Sequence, residues 1–151
     1  MAKVKRIVIH CTDEPHTAKR NREYYRHFFF DVKKWKHFGY HAIVYQDGRW
    51  EMLQPLPEVT TDGGFITNDT LACGAAGYNS NSIHIAYVGG RWGNTSKTGD
   101  TRTDEQRKTL WALVGMWKVM YKIEEVIGHR DLPGVKKTCP NFDAKNTYRN
   151  A

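Results

Sequence analysis

The sequence predicts an α/β fold: a single domain spanning residues 1–151, in which helices cover a central β-sheet. Three observations predict it. Runs of β-branched residues alternate with charged, helix-compatible segments, a turn signal at Asp47-Gly48 joins two short apolar runs, and a capped helix with an apolar stripe lies in the last third. A length of 151 residues suits one hydrophobic core.

Taken in order, Val4 to Cys11 is rich in β-branched residues and reads as an opening strand with His10 near its carboxyl end. Pro15 marks the following loop, and Lys19 to Lys36, dense in charged and aromatic residues, reads as a helix that Gly39 terminates. Tyr40–Tyr45 and Arg49–Leu53 read as a hairpin, with Asp47-Gly48 as a type I′ turn. Gln54 to Ser80 carries prolines, glycines and polar residues without period, an irregular length that compact domains keep for function. Ile83 to Val88 reads as a buried strand. Thr103-Asp104-Glu105-Gln106 forms a capping box, after which Leu110, Leu113 or Val114, Trp117 and Met120 recur on one helical face. Glu125–Gly128 is a short strand candidate, and a terminal turn or helix is expected at Asp143–Arg149.

The composition sets bounds on function. The chain is 40% hydrophobic and 13% aromatic, enough for a core, and it has no apolar run long enough to span a membrane. The apolar stretch at Ile7–Ile9 is too short for a secretion signal. Three cysteines, Cys11, Cys73 and Cys139, lack the even, close spacing of a disulfide scaffold and suit a reducing compartment. A net charge of +7 favours polyanionic partners without choosing among nucleic acid, cell envelope and membrane surface. The basic residues are dispersed and no helix-turn-helix, zinc-finger or RNA-recognition signature is present, so direct nucleic-acid binding is not expected.

Candidate chemistry gathers at His10, at His129 just after the last strand, and at Cys139 farther along the same loop. Two ligands from one loop and a third from a distant strand end would leave a tetrahedral metal one open position, as in catalytic sites. The individual residues have bland readings too. A strand-end histidine is most often held by hydrogen bonds, and the spacing is not that of a zinc finger.

Four blocks add specificity: Ile7-Val8-Ile9-His10-Cys11-Thr12; Trp35 through Phe38-Gly39-Tyr40-His41; Gly77-Tyr78-Asn79-Ser80-Asn81-Ser82-Ile83 with Val88-Gly89-Gly90; and His129-Arg130-Asp131 through Lys137-Thr138-Cys139-Pro140-Asn141-Phe142-Asp143. In order and approximate spacing they resemble the N-acetylmuramoyl-L-alanine amidase family, which includes the animal peptidoglycan recognition proteins. The resemblance implies a mixed central sheet flanked by helices. It also implies a single zinc ion held by His10, His129 and Cys139, with catalytic roles beside it for Tyr40 and Lys137. The implied reaction is hydrolysis of the amide between N-acetylmuramic acid and L-alanine in bacterial peptidoglycan, the expected partner of a monomeric protein. Lys137 is preferred over Lys136 because the family motif has lysine two positions before the cysteine. His41, next to Tyr40, must face the other way along an extended chain and is expected to be structural, and Cys11 is expected to be a buried thiol.

The substrate side is less defined. Many members carry a histidine shortly before the Gly-Tyr-Asn block, where this chain reads Leu71-Ala72-Cys73-Gly74-Ala75-Ala76. His84 is the candidate replacement and Asn79 a candidate stem-peptide contact, in a groove expected along Gln54–Asn81. Two alternatives come with the resemblance. One is a non-catalytic peptidoglycan-binding module, which animal members lacking the cysteine exemplify and against which Cys139 argues. The other is an inhibitor of a phage RNA polymerase, since a phage member binds its polymerase. Without a secretion signal, the enzyme would reach the wall through a holin-type membrane lesion.

Overall fold

β-branched residues from the opening run build the middle of the sheet. The computed structural model describes residues 2–151, and Met1, the first residue of the expected domain, lies outside them. In chain order the elements are β1 (Ala2–Lys3), β2 (Arg6–Cys11), β3 (Glu14–Pro15), α1 (Arg22–Arg26), a π-helical segment at His27–Val32, β4 (Ala42–Val44), β5 (Trp50–Met52) and β6 (Phe65–Ile66). They continue with β7 (Ser82–Tyr87), β8 (Gly90–Arg91), α2 (Asp104–Met120), β9 (Glu125–Gly128) and α3 (Ala144–Thr147). The main sheet has five strands in the order β5-β4-β7-β2-β9. It is mixed: β4, β7, β2 and β9 run parallel, and only β5 is antiparallel. Short pairs join β1 to β6 and β3 to β8.

Strand alternation divides the core. Ile7, Ile9 and Cys11 of β2, with Ala42, Val44, Ile83, Ile85, Tyr87 and Val126, form one cluster with Leu110, Leu113, Val114 and Trp117 of α2. On the other face Val8 packs with Ala75, Ile127 and Leu132, and Ile43, Tyr45, Ala86 and Val88 pack with Tyr25, Phe29 and Phe38. His10 and His84 belong to this second face, two residues beyond Val8 and opposite it in register, respectively.

The α2 capping box forms as the sequence predicts, with Thr103 and Gln106 bonding each other's backbone N–H. Gln106 does more than cap. Its buried amide donates to the carbonyls of Val44 and Val88, fastening the helix start to two sheet strands. Both Leu113 and Val114 are buried, whereas Met120, expected on the core face, is 37% exposed, and Tyr121, four residues after Trp117, takes the buried place instead.

Two local expectations change. The hairpin forms, but of Gln46, Asp47 and Gly48 only Gly48 has positive φ (89°), and its N–H bonds the Tyr45 carbonyl while Tyr45 pairs with Arg49. That is a type I turn closed by a glycine bulge, not a type I′ turn, which needs positive φ at both central residues. The helix expected over Lys19–Lys36 is shorter: α1, capped by Asn21, passes into the π-helical segment, whose Phe28 carbonyl receives the Lys33 N–H. The widened turn lets Phe29 reach the core while Phe28 and Phe30 stay half-buried at its rim.

Replacing Gln106 with leucine should remove both sheet anchors and one half of the capping box, lowering stability by about 1–3 kcal/mol in urea unfolding. An unchanged unfolding midpoint would show that the amide bonds add nothing.

Candidate active site

His10 lies near the end of β2, the position from which a parallel sheet presents side chains to a cleft. His129 follows directly from β9, the neighbouring parallel strand, at the start of a short 3-10 turn that the Asp131 carboxylate caps through the Gly128 N–H. Cys139 is brought back to His129 by the bond from the Arg130 N–H to the Cys139 carbonyl. Its loop is fastened to β7 by the buried Tyr87 hydroxyl, which donates to the Pro140 carbonyl at 2.7 Å. Asn141, in the left-handed region at φ 69°, donates its amide to the carbonyls of Gly90 and Gly99.

The result is convergence. One donor atom from each of His10, His129 and Cys139 lies within 4.8 Å of the other two. His10 turns Nδ1 toward the Cys139 sulfur, 4.0 Å away, and the Cys11 backbone N–H points at the same sulfur from 3.2 Å. An N–H aimed at sulfur favours its charged, ligating form. Two imidazole nitrogens and one thiol, partly desolvated, are a donor set suited to a zinc-type ion.

These residues form the floor of a cleft of about 450 Å³, walled by Phe28, Phe29, Trp35, Tyr40, Lys137 and Asn141 among others. Tyr40 packs its ring 5.2 Å from that of His10. Burial, then the nearby Cys139 and Cys11 thiols, push the Tyr40 phenol well above its ordinary pKa, so it stays protonated and can donate a hydrogen bond. Lys137 lines the cleft from an exposed loop, and its rival Lys136 does not. Burial lowers the His10 pKa most, with His129 and Lys137 adding to it, and His129 is lowered by burial and Lys137. The Cys139 thiol is raised first by its hydrogen bond with Cys11 and then by burial.

The expected substrate contacts fall elsewhere. His84 is fully buried and bonds His10, while Asn79 is half-buried and turns its side chain to the His84 ring. Neither lines the cleft. The groove does not follow Gln54–Asn81; of that stretch only Cys73 and Gly74 contribute. The stretch is tied to the body at points away from the cleft, as where the Phe38 N–H donates to the Gln54 side-chain oxygen and the Tyr121 hydroxyl to the Pro57 carbonyl. The aromatic wall at Phe28, Phe29 and Trp35 escaped the sequence reading, although its aromatic density was visible in the segment read as a helix. His41 is structural, as expected: its ring is buried, accepts the His84 backbone N–H at Nδ1 and donates to the Thr70 carbonyl. Cys11 is 5% exposed, as a buried thiol should be.

Two imidazole nitrogens and a thiol at the open end of a parallel-stranded sheet, with a lysine and a phenol in the same cleft, are groups suited to metal-assisted hydrolysis. The comparisons give the family. Residues 1–142 match the family described as N-acetylmuramoyl-L-alanine amidase, and the chain belongs to that family. The endolysin of Klebsiella phage KP32 is 27% identical over 142 residues, covering 94% of this chain and 83% of that protein. The endolysin of Enterobacteria phage T3 is 32% identical over 116 residues, 76% of this chain and 66% of that one. The Apis mellifera PGRP-SA structure superposes with a TM-score of 0.71 at 18% identity, covering 99% of this chain and 84% of its own, and so shares the fold.

The buried imidazole of His41 has its pKa lowered from 6.5 to about 4 by burial. A folded pKa below the unfolded one means that the unfolded state binds more protons between these values. Stability from this group is therefore complete above about pH 6.5 and is lost as pH falls toward 4, by about 3 kcal/mol. Urea unfolding at a series of pH values should show a shallower acid slope for His41→Gln than for the native sequence. Equal slopes would contradict this account.

Proposed function

We propose that this protein uses a single zinc ion, held by His10, His129 and Cys139, to hydrolyse the amide between the lactyl group of N-acetylmuramic acid and L-alanine in bacterial peptidoglycan. The observation that carries this reading is the convergence of these three donors within 4.8 Å on the floor of an open cleft. Zinc bound there would polarise the substrate carbonyl and acidify a water, supplying the nucleophile that an unactivated amide needs.

The remaining tasks fall to the chain. The Lys137 ammonium, at the cleft wall, stabilises the negative charge that develops on the carbonyl oxygen as water adds. Tyr40, whose phenol stays protonated, donates a hydrogen bond that orients water or the carbonyl and, because it does not ionise, is not available as the base. Phe28 and Trp35, backed by the buried Phe29, offer apolar surface for the faces of sugar rings, and their bulk keeps water from one side of the cleft. The products are a muramic carboxylate and a free L-alanine amino terminus.

In this reading residues 1–151 form one amidase domain acting as a monomer, and its likeness to phage endolysins points to the cell wall as the place of action. Among the described residues no helix is long and apolar enough to cross a membrane, and access to the wall through a lesion made by a separate holin fits a phage-type endolysin. The presence of Cys139 in the donor cluster favours an enzyme over a module that only binds.

Cys139→Ala should bind no stoichiometric zinc and should clear suspensions of purified cell walls at least about a hundredfold more slowly. Lys137→Ala should keep its metal and lose about 10²–10³ in rate. Both are checked by metal analysis beside turbidity and by labelling of newly exposed alanine amino groups. A metal-free native protein that still releases alanine termini, or a Cys139→Ala variant as active as the native protein, would overturn the assignment.

A further inference from the structure

Behind His10 the structure holds a chain of hydrogen bonds whose direction is fixed at its far end. The Ala75 backbone N–H donates to the side-chain oxygen of Asn79 at 2.9 Å, so that atom is an acceptor. His84 Nε2 lies 2.9 Å from the same oxygen and must therefore carry a proton. Its ring is completely buried, and a buried imidazole without a carboxylate partner keeps one proton, which leaves His84 Nδ1 as a lone pair. His10 Nε2 lies 2.8 Å from that nitrogen and so is the donor. One ring then remains, and its only free lone pair is Nδ1, the atom turned toward Cys139.

We propose that His84, set by Asn79, is a positioning residue that locks His10 in its Nε2–H form and holds the Nδ1 lone pair toward His129 and Cys139. This rests on the ligand roles given to those three residues above, and it extends them: His84 touches neither cleft nor substrate and acts only through His10. Imidazole ligands depend in general on the partner of their second nitrogen for tautomer and orientation. That partner is usually a carboxylate or a carbonyl, and here it is a second neutral imidazole.

Two further features show that the space was made for this ring. The backbone N–H of His84 is bound by His41 Nδ1, and the two imidazoles stand parallel, 4° apart in plane with centroids 6.1 Å apart. Gly74 also lies against the ring. A Cβ there would meet the His84 ring 2.6 Å from Cγ, although the Gly74 backbone is not in the left-handed region. The glycine is required by the ring beside it.

The test compares His84→Leu with His84→Asn, which differ little in size. The asparagine can accept from His10 Nε2–H where His84 Nδ1 does, and leucine cannot. Zinc competition titrations should show affinity reduced about 10–100-fold for His84→Leu and by no more than about threefold for His84→Asn. Gly74→Ala, which removes no polar group, should weaken zinc binding by displacing the ring. Nitrogen-15 spectra of histidine-labelled, metal-free protein read the tautomer directly: His10 should be protonated at Nε2 in the native chain and in His84→Asn, and mixed in His84→Leu. A native His10 protonated at Nδ1, or equal zinc affinity in the leucine and asparagine variants, overturns the inference. A native protein that takes up no zinc yet shows the Nε2–H form of His10 overturns the ligand assignment and upholds the lock.

Discussion

Strand β2 runs parallel between β7 and β9, and its side chains alternate between two environments. Ile7, Ile9 and Cys11 go down onto α2, while Val8 and His10 go up with His84 and Ile127. Because the strands on both sides are parallel, their carboxyl ends lie together, and whatever follows them must emerge at one rim. His129 emerges there from β9, and the Gly89-Gly90 loop emerges from β7 to receive Asn141. A slip of one residue in the β2 register would send His10 into the α2 core and Ile9 into the cleft. The apolar packing of Ile7 and Ile9 thus protects the chemistry by making that slip expensive.

Among the described residues no carboxylate is counted with the buried polar side chains. His10, His41 and His84 are all at most 2% exposed and are satisfied by one another, by backbone groups and by Asn79. Burial holds all three below their ordinary pKa, so the interior is a set of oriented neutral dipoles and not a charged network. Such a surrounding leaves the positive charge of Lys137 as the strong electrostatic actor at the cleft. The protonated phenol of Tyr40 completes it as a donor.

Much of this was legible in the sequence because the signals were local or carried by short blocks. The β-branched run at Ile7–Ile9, the Thr103–Gln106 capping box and the apolar stripe of α2 each depend on neighbours in the chain, and each forms. His10, His129 and Cys139 could be named together only through the order of the family blocks, since nothing local draws a strand end and a distant loop to one point. What was not legible depends on pairing across the sheet. His84 reads as a cleft-facing candidate to replace a missing histidine until β7 is set beside β2 in register, when it turns inward against Val8 and His10. The turn at Gly48 and the π-helical widening at Phe28–Phe30 were lost for a different reason: Asp-Gly serves two turn types, and an aromatic run fits several helical pitches.

The contact between Gly74 and His84 joins two positions that the sequence separates by a loop and a 3-10 turn. A lineage that places an imidazole on the strand must empty the loop beside it, and one that keeps a side chain in the loop must keep the strand position small. The two sites should therefore change together in descent, and a histidine transplanted into a relative at one of them would need its counterpart altered in the same step.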